Sequence, residues 1–94
     1  VEFEWDEAKA RSNFRKHGVS FEIGATVFFD PSSIEMFSRR VDEEDRFVRI
    51  GKSSDGSILI IAYTWRTYEQ KTRCRIISAR KAGREERGRY ASLS

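Results

Sequence analysis

Apolar and polar positions change period several times along the chain, and each change marks an element. Phe3 and Trp5 alternate with Glu2 and Glu4, the period of two of a short strand with one buried face. Asp6 then stands where an N-cap would, a helix is predicted to run to Lys16 or His17, and Gly18 supplies its stop. On that helix Ala10 and Phe14 form a thin apolar stripe, while Lys9, Asn13 and Lys16/His17 form a separate polar one. Ser20 caps a second predicted helix, on which Phe21, Ala25 and Phe28 recur at helical spacing until Asp30-Pro31 ends it.

Beyond Pro31 the period falls to two. Ile34 to Phe37 reads as a strand, Arg39 to Asp45 as a charged hairpin loop, and Arg46 to Lys52 as a strand. That strand sets Arg46, Val48, Ile50 and Lys52 on one face, with Phe47 and Arg49 on the other. Ser54-Asp55-Gly56 is a turn signal, and Ile58 to Trp65 is apolar enough to be buried on both faces at the centre of a sheet. Arg66 to Gln70 reads as a polar loop and Thr72 to Ala79 as the last strand. Strict alternation there points Arg73, Arg75, Ile77 and Ala79 one way, and Cys74, Ile76, Ser78 and Arg80 the other. Ala82 to about Leu93 closes the chain as a helix, with Ala82, Glu86, Tyr90 and Leu93 on one stripe and Gly83 and Gly88 weakening it. The order of strand, two helices, four strands and helix predicts an α+β fold with one antiparallel sheet.

Composition bounds the function. Ninety-four residues form one expected domain, 1–94, in which 38% apolar residues can bury a core and 35% charged residues solvate the outside. The segment from Lys71 to Ser94 carries eight basic residues against two acidic ones, whereas the first seventy carry ten against thirteen. A net charge of +3 therefore hides two opposite halves, and the basic end points to a polyanion such as nucleic acid. The longest apolar run, Ile58 to Tyr63, is too short to span a bilayer, and the first residues lack a signal-peptide layout, so a cytoplasmic protein is expected. One cysteine, Cys74, and one histidine, His17, give no disulfide, no zinc-binding spacing and no cofactor motif.

Four groups of side chains could carry chemistry. Arg73, Arg75, Arg80, Arg84, Arg87 and Arg89, with Lys52 from a neighbouring strand, suit phosphate, since guanidinium offers paired donors and stays charged; the plainer reading is a basic surface partly neutralised by Glu85 and Glu86. His17 in N-x-x-K-H-G is the one group with an ordinary pKa suited to proton transfer near neutrality, yet a cation there also complements a helix C-terminus. Glu86 and Tyr90, one turn apart, either move a proton or dock the helix. Trp65 and Tyr68 beside Arg66 could stack on an unpaired base, with Trp65 the better core residue and Tyr68 the freer one.

The stretches F-E-W-D-E-A-K-A-R-S-N-F-R-K-H-G-V-S-F-E (Phe3 to Glu22), D-R-F-V-R-I-G-K-S (Asp45 to Ser53) and R-I-I-S-A-R-K-A-G-R-E-E-R-G-R-Y (Arg75 to Tyr90) closely resemble the BrnT family of type II toxins. The resemblance implies a RelE-like α+β fold, an antiparallel sheet of four to five strands with two N-terminal helices and one C-terminal helix. It also implies a ribonuclease that blocks translation, and a BrnA-like ribbon-helix-helix antitoxin that masks it in a 2:2 assembly and alone contacts operator DNA. Lys16, His17, Arg75, Arg80, Glu86 and Tyr90 occupy recurrent motif positions. The expected chemistry is metal-independent cleavage of RNA, with His17 or Glu86 moving the proton, Arg75 and Arg80 clamping the phosphate, and Lys16, Lys52, Arg73, Arg84 and Tyr90 binding substrate. The rival is a basic module that docks RNA or an acidic partner without cutting.

Overall fold

A computed structural model describes residues 1–93, so Ser94, the end of the basic segment, lies outside the described residues. The chain runs β1 (Glu2–Glu4), α1 (Glu7–His17), α2 (Phe21–Ala25), a 3-10 turn (Thr26–Phe29), β2 (Ile34–Val41), β3 (Glu44–Lys52), β4 (Ile58–Tyr68), β5 (Lys71–Lys81) and α3 (Arg84–Leu93). The helix ends follow local chemistry. The Asp6 carboxylate accepts the Lys9 N–H at 3.1 Å, and the Ser20 hydroxyl accepts the Ile23 N–H at 3.1 Å. Gly18 takes the left-handed conformation (φ 70°), which lets its N–H reach the Phe14 carbonyl at 2.8 Å and close α1.

The five strands form one sheet in the order β1-β5-β4-β3-β2. It is mixed rather than wholly antiparallel. β1 lies parallel to β5, with Glu2, Phe3 and Glu4 opposite Arg73, Cys74 and Arg75. A parallel neighbour requires a crossover, and the whole of α1 to β4 separates these two strands in the chain. The central strand is β4, as its apolar run predicts.

Both predicted polar loops are strand. Arg39 to Val41 pair with Glu44 to Arg46 around an Asp42-Glu43 turn, and Arg66 to Tyr68 pair with Lys71 to Arg73 around Glu69-Gln70. All four turn residues have positive φ, from 47° to 72°, the arrangement of a type I′ turn. Without the glycine or asparagine that usually announces such a turn, charged strand ends look like loops in the sequence.

α1 and α2 pack on β5, and the 3-10 turn on β3. Phe21, Val27, Leu59, Ile61, Tyr63, Cys74, Ile76 and Ala79 form the core between them. On α1 it is Asn13, from the expected polar stripe, that is buried, while Phe14 is 55% exposed. Asn13 donates to the Ala79 carbonyl at 2.8 Å and the Val19 carbonyl at 3.0 Å, and accepts the Ala79 N–H at 3.2 Å. Its amide stands in for the strand partner that β5 lacks beyond β1. The opposite face of the sheet buries Ile50 and Ile60, with α3 packed over β3. No helix among the described residues is long and apolar enough to cross a membrane.

Candidate active site

Two irregularities decide which side chains share a face. The pairing of β4 with β5 passes from Ala62↔Ser78 to Tyr63↔Ile76, leaving Ile77 as an extra residue. Between β2 and β3 it passes from Phe37↔Phe47 to Arg39↔Arg46, leaving Ser38 extra. Each bulge interrupts the alternation and turns the following residues over. Ala79 therefore joins Cys74 and Ile76 in the core, and Arg80 joins Arg73 and Arg75 on the far face, the reverse of the predicted sorting. β3 keeps its predicted faces. Opposite residues of a ladder share a side, so Arg39, Arg46, Arg66, Arg73, Arg75 and Arg80 all lie on the sheet face away from α1 and α2.

Carboxylates hold most of these arginines in place. Arg80 makes two parallel bonds to Glu86, at 2.8 and 2.7 Å, and Glu86 also accepts the Gly83 N–H at 2.8 Å, tying the start of α3 to the end of β5. The hydrogen bonds from Arg80 outweigh the upward push of burial and hold the Glu86 carboxyl below its ordinary range. Both its oxygens are engaged, so the carboxylate is better placed to aim Arg80 than to take a proton. Arg75 bonds Glu4 at 2.9 Å, as does the Tyr68 hydroxyl. Burial raises the Glu4 pKa, but the bonds from Arg75 and Tyr68 prevail and lower it. Arg73 pairs with Glu2 at 3.1 Å, and Glu44 takes Arg66 at 2.9 Å and Arg46 at 3.6 Å.

The remaining predicted residues lie in three places. Tyr90 donates to Asp30 at 2.7 Å, and the same carboxylate oxygen accepts the Lys52 backbone N–H at 2.8 Å, so both residues meet where α3 rests on the sheet. Arg84 is exposed in the first turn of α3. Lys16 and half-buried His17 end α1 at the sheet edge, where with Lys9, Ser12 and Asn13 they border a depression of about 220 Å³ closed by Ile77 and Ser78. Ser78 lies in the row between Arg75 and Arg80. Rows two residues apart along a strand are about 7 Å apart, so Arg75 and Arg80 flank Ser78 on this face, and Ser78 also borders the depression that His17 lines. Among the described residues, the His17 imidazole makes no hydrogen bond or ion pair.

The arrangement offers fixed cations flanking a small-residue floor and one imidazole beside it, a geometry that can hold a phosphodiester and move a proton. Among the described residues no group of three His, Cys, Asp or Glu is arranged to hold a metal ion. Sequence reasoning missed Glu4, Glu44, Arg46 and Ser78. The first two looked like solvated strand and turn residues, and only the parallel β1 and the extended hairpin bring them to the arginines.

Both a family model and a solved structure match the chain. The sequence model of the family described as "Ribonuclease toxin, BrnT, of type II toxin-antitoxin system" matches residues 5–86. Among solved structures, the ribonuclease toxin BrnT of Brucella abortus superposes with a TM-score of 0.64 at 23% identity, over 89% of this chain and 100% of that one. That likeness is one of fold, and it includes the α+β arrangement described above. No curated protein matches by sequence.

Proposed function

Because the chain belongs to the BrnT family of ribonuclease toxins of type II toxin–antitoxin systems, we propose that it is a metal-independent endoribonuclease whose active site is the far face of the sheet around Ser78. The observation that supports this reading best is the pair Arg75 and Arg80, one row to either side of Ser78, with His17 lining a depression at the sheet edge that Ser78 also borders. Neutral His17 takes the proton of the RNA 2′-hydroxyl, the oxygen attacks the adjacent phosphorus, and the bond to the 5′-oxygen breaks. The leaving oxygen gains a proton from solvent or from the Lys16 ammonium. Arg75 and Arg80 hold the phosphoryl oxygens as charge builds on them, and Glu86 keeps Arg80 aimed. Arg73, Arg84, Lys52 and Tyr90 extend the surface along the RNA.

A type II family implies a protein antitoxin. A BrnA-like ribbon-helix-helix partner would cover the arginine face in the cytoplasm, in a 2:2 assembly, and would be the part that meets operator DNA. Released, the ribonuclease would block translation and arrest growth.

Purified protein incubated with RNA tests the reading. Removing the base in His17→Ala should slow cleavage about 10²–10⁴-fold, and Arg80→Ala about 10²–10³-fold, each in a variant that stays folded. Glu86→Gln should lose less than tenfold and shift no limb of the pH profile, as suits a positioning carboxylate. Cleavage abolished by EDTA and restored by magnesium would overturn the metal-independent chemistry. RNA retarded in a gel but left intact would favour the non-catalytic module.

A further inference from the structure

On the same arginine face, well away from Ser78, one aromatic ring stands exposed, and we propose that this ring, Tyr68, is a base-stacking subsite for an unpaired nucleobase of single-stranded RNA. The inference rests on the RNA-cleaving reading above and adds to it where the strand goes after the scissile phosphate. Tyr68 is the last residue of β4 and pairs with Lys71, so it shares a face with Arg66, Arg73 and Arg75. Trp65, the other aromatic beside Arg66, points the opposite way and packs on Phe28 and Tyr63.

Three features make Tyr68 a platform rather than a loose surface ring. It is 45% exposed at the tip of the hairpin, where β4 pairs with β5 alone. Its hydroxyl is fixed to Glu4 at 2.9 Å, and Glu4 in turn holds Arg75 at 2.9 Å, so the ring and the phosphate-clamping arginine are set by one carboxylate. The Arg73 guanidinium sits 5.9 Å from the ring centroid, within the range of a cation–π contact, which leaves other parts of the ring surface to solvent. Aromatic rings with neighbouring arginines bind successive bases with little regard to sequence, because every base has a π-face. The tight Glu69-Gln70 turn gives the mount little freedom, so ordering costs on binding are small.

Register places the subsite on the RNA. Ser78 lies opposite Ala62, and Tyr68 stands six residues further along β4, about 20 Å away. That is three steps of the strand's same-face repeat, with the Arg75 row and the Arg66–Arg73 row between them to meet phosphates. The stacked base therefore belongs to a nucleotide about three positions from the cleaved bond.

The test compares wild type with Tyr68→Ala, Tyr68→Phe and Tyr68→Trp on a single-stranded oligonucleotide and on a dinucleotide with the same scissile bond, measuring KM, kcat and direct binding. Tyr68→Ala should carry a KM penalty about tenfold larger on the oligonucleotide than on the dinucleotide. Phe and Trp, which keep a ring but lose the bond to Glu4, should restore most of it. Placing an abasic nucleotide about three positions from the scissile bond should erase the difference between wild type and Tyr68→Ala. Equal losses on both substrates would overturn the subsite in favour of a purely structural role, and so would an oligonucleotide cleaved and bound by Tyr68→Ala as by wild type. A wild-type chain that binds the oligonucleotide without cutting it still supports the subsite if Tyr68→Ala weakens binding tenfold, while refuting the ribonuclease reading. Failure of the wild type to bind RNA at all overturns both.

Discussion

Asn13 carries more of the fold than its side chain suggests. One amide satisfies the Ala79 N–H and carbonyl and the Val19 carbonyl, all in a buried setting. Asn13→Ala leaves those groups unpaired and should cost about 2–4 kcal/mol in urea unfolding; a loss under 1 kcal/mol would show that water replaces the amide. Glycines differ just as sharply by place. A Cβ on Gly51 would stand 2.7 Å from Ser33 Cβ and 2.8 Å from Val27 Cγ1, so Gly51→Ala should destabilise by about 2 kcal/mol. Gly88 is helical with nothing within 4 Å, and Gly88→Ala should add roughly 1 kcal/mol, read as a raised Tm. At this scale the sequence was legible wherever the cause is local. Asp6, Gly18 and Ser20 act within four residues of themselves, and all three cap as expected. Asn13 was not legible, since its partner is 66 residues away. Of the candidate site, His17, Lys16, Arg75 and Arg80 were found as basic or titratable motif residues, but their mutual placement depends on an extra residue in β5 that composition does not reveal.

Elements show where local preference yields to pairing. β2 and β4 are each longer than alternation suggests, because type I′ turns at Asp42-Glu43 and Glu69-Gln70 let the ladders continue to the tips. Left-handed backbone costs an ordinary residue about 1–2 kcal/mol, so Gln70→Gly should stabilise the hairpin by close to 1 kcal/mol and raise Tm by several degrees. An unchanged Tm would mean that side-chain contacts of Gln70 offset its strained backbone. α3 has a different basis. None of its residues is fully buried, and polar links hold it: Glu86 to Arg80 and Gly83, and Tyr90 to Asp30. The sequence left Glu86 and Tyr90 open between moving a proton and docking the helix, and both make contacts that dock it. Such links titrate. Glu86, Glu4 and Glu44 are all held below their ordinary value of 4.5, so each stabilises the fold above that pH and loses its contribution as pH falls through the lower folded value. Thermal unfolding should therefore be flat from pH 7 to 5 and decline below about 4.5, with the Glu86→Gln variant declining less steeply.

Across the whole molecule, the charge imbalance of the sequence becomes a two-sided sheet. Arg66 faces Arg73 across β4 and β5, and Arg39 faces Arg46 across β2 and β3, like charges set directly opposite one another. Such pairs are destabilising, and their retention on one face suits a surface that waits for a polyanion. Arg39→Thr, which removes a like charge opposite Arg46, should gain a few tenths of a kcal/mol in stability yet weaken RNA binding and flatten its salt dependence by about one counterion; stability and affinity falling together would refute that account. The asymmetry was visible in the sequence, but its sorting onto one side required the two bulges. On the covered face of the same sheet lies Cys74, the one cysteine of the chain, fully buried and with its thiol pushed up to about 12 by that burial. A thiol so enclosed is inert until the strands part. Its rate of chemical labelling is therefore a clock for opening of the native state, built into the chain without mutation, and an antitoxin that binds only the closed form should slow that clock in proportion to its own concentration over its Kd.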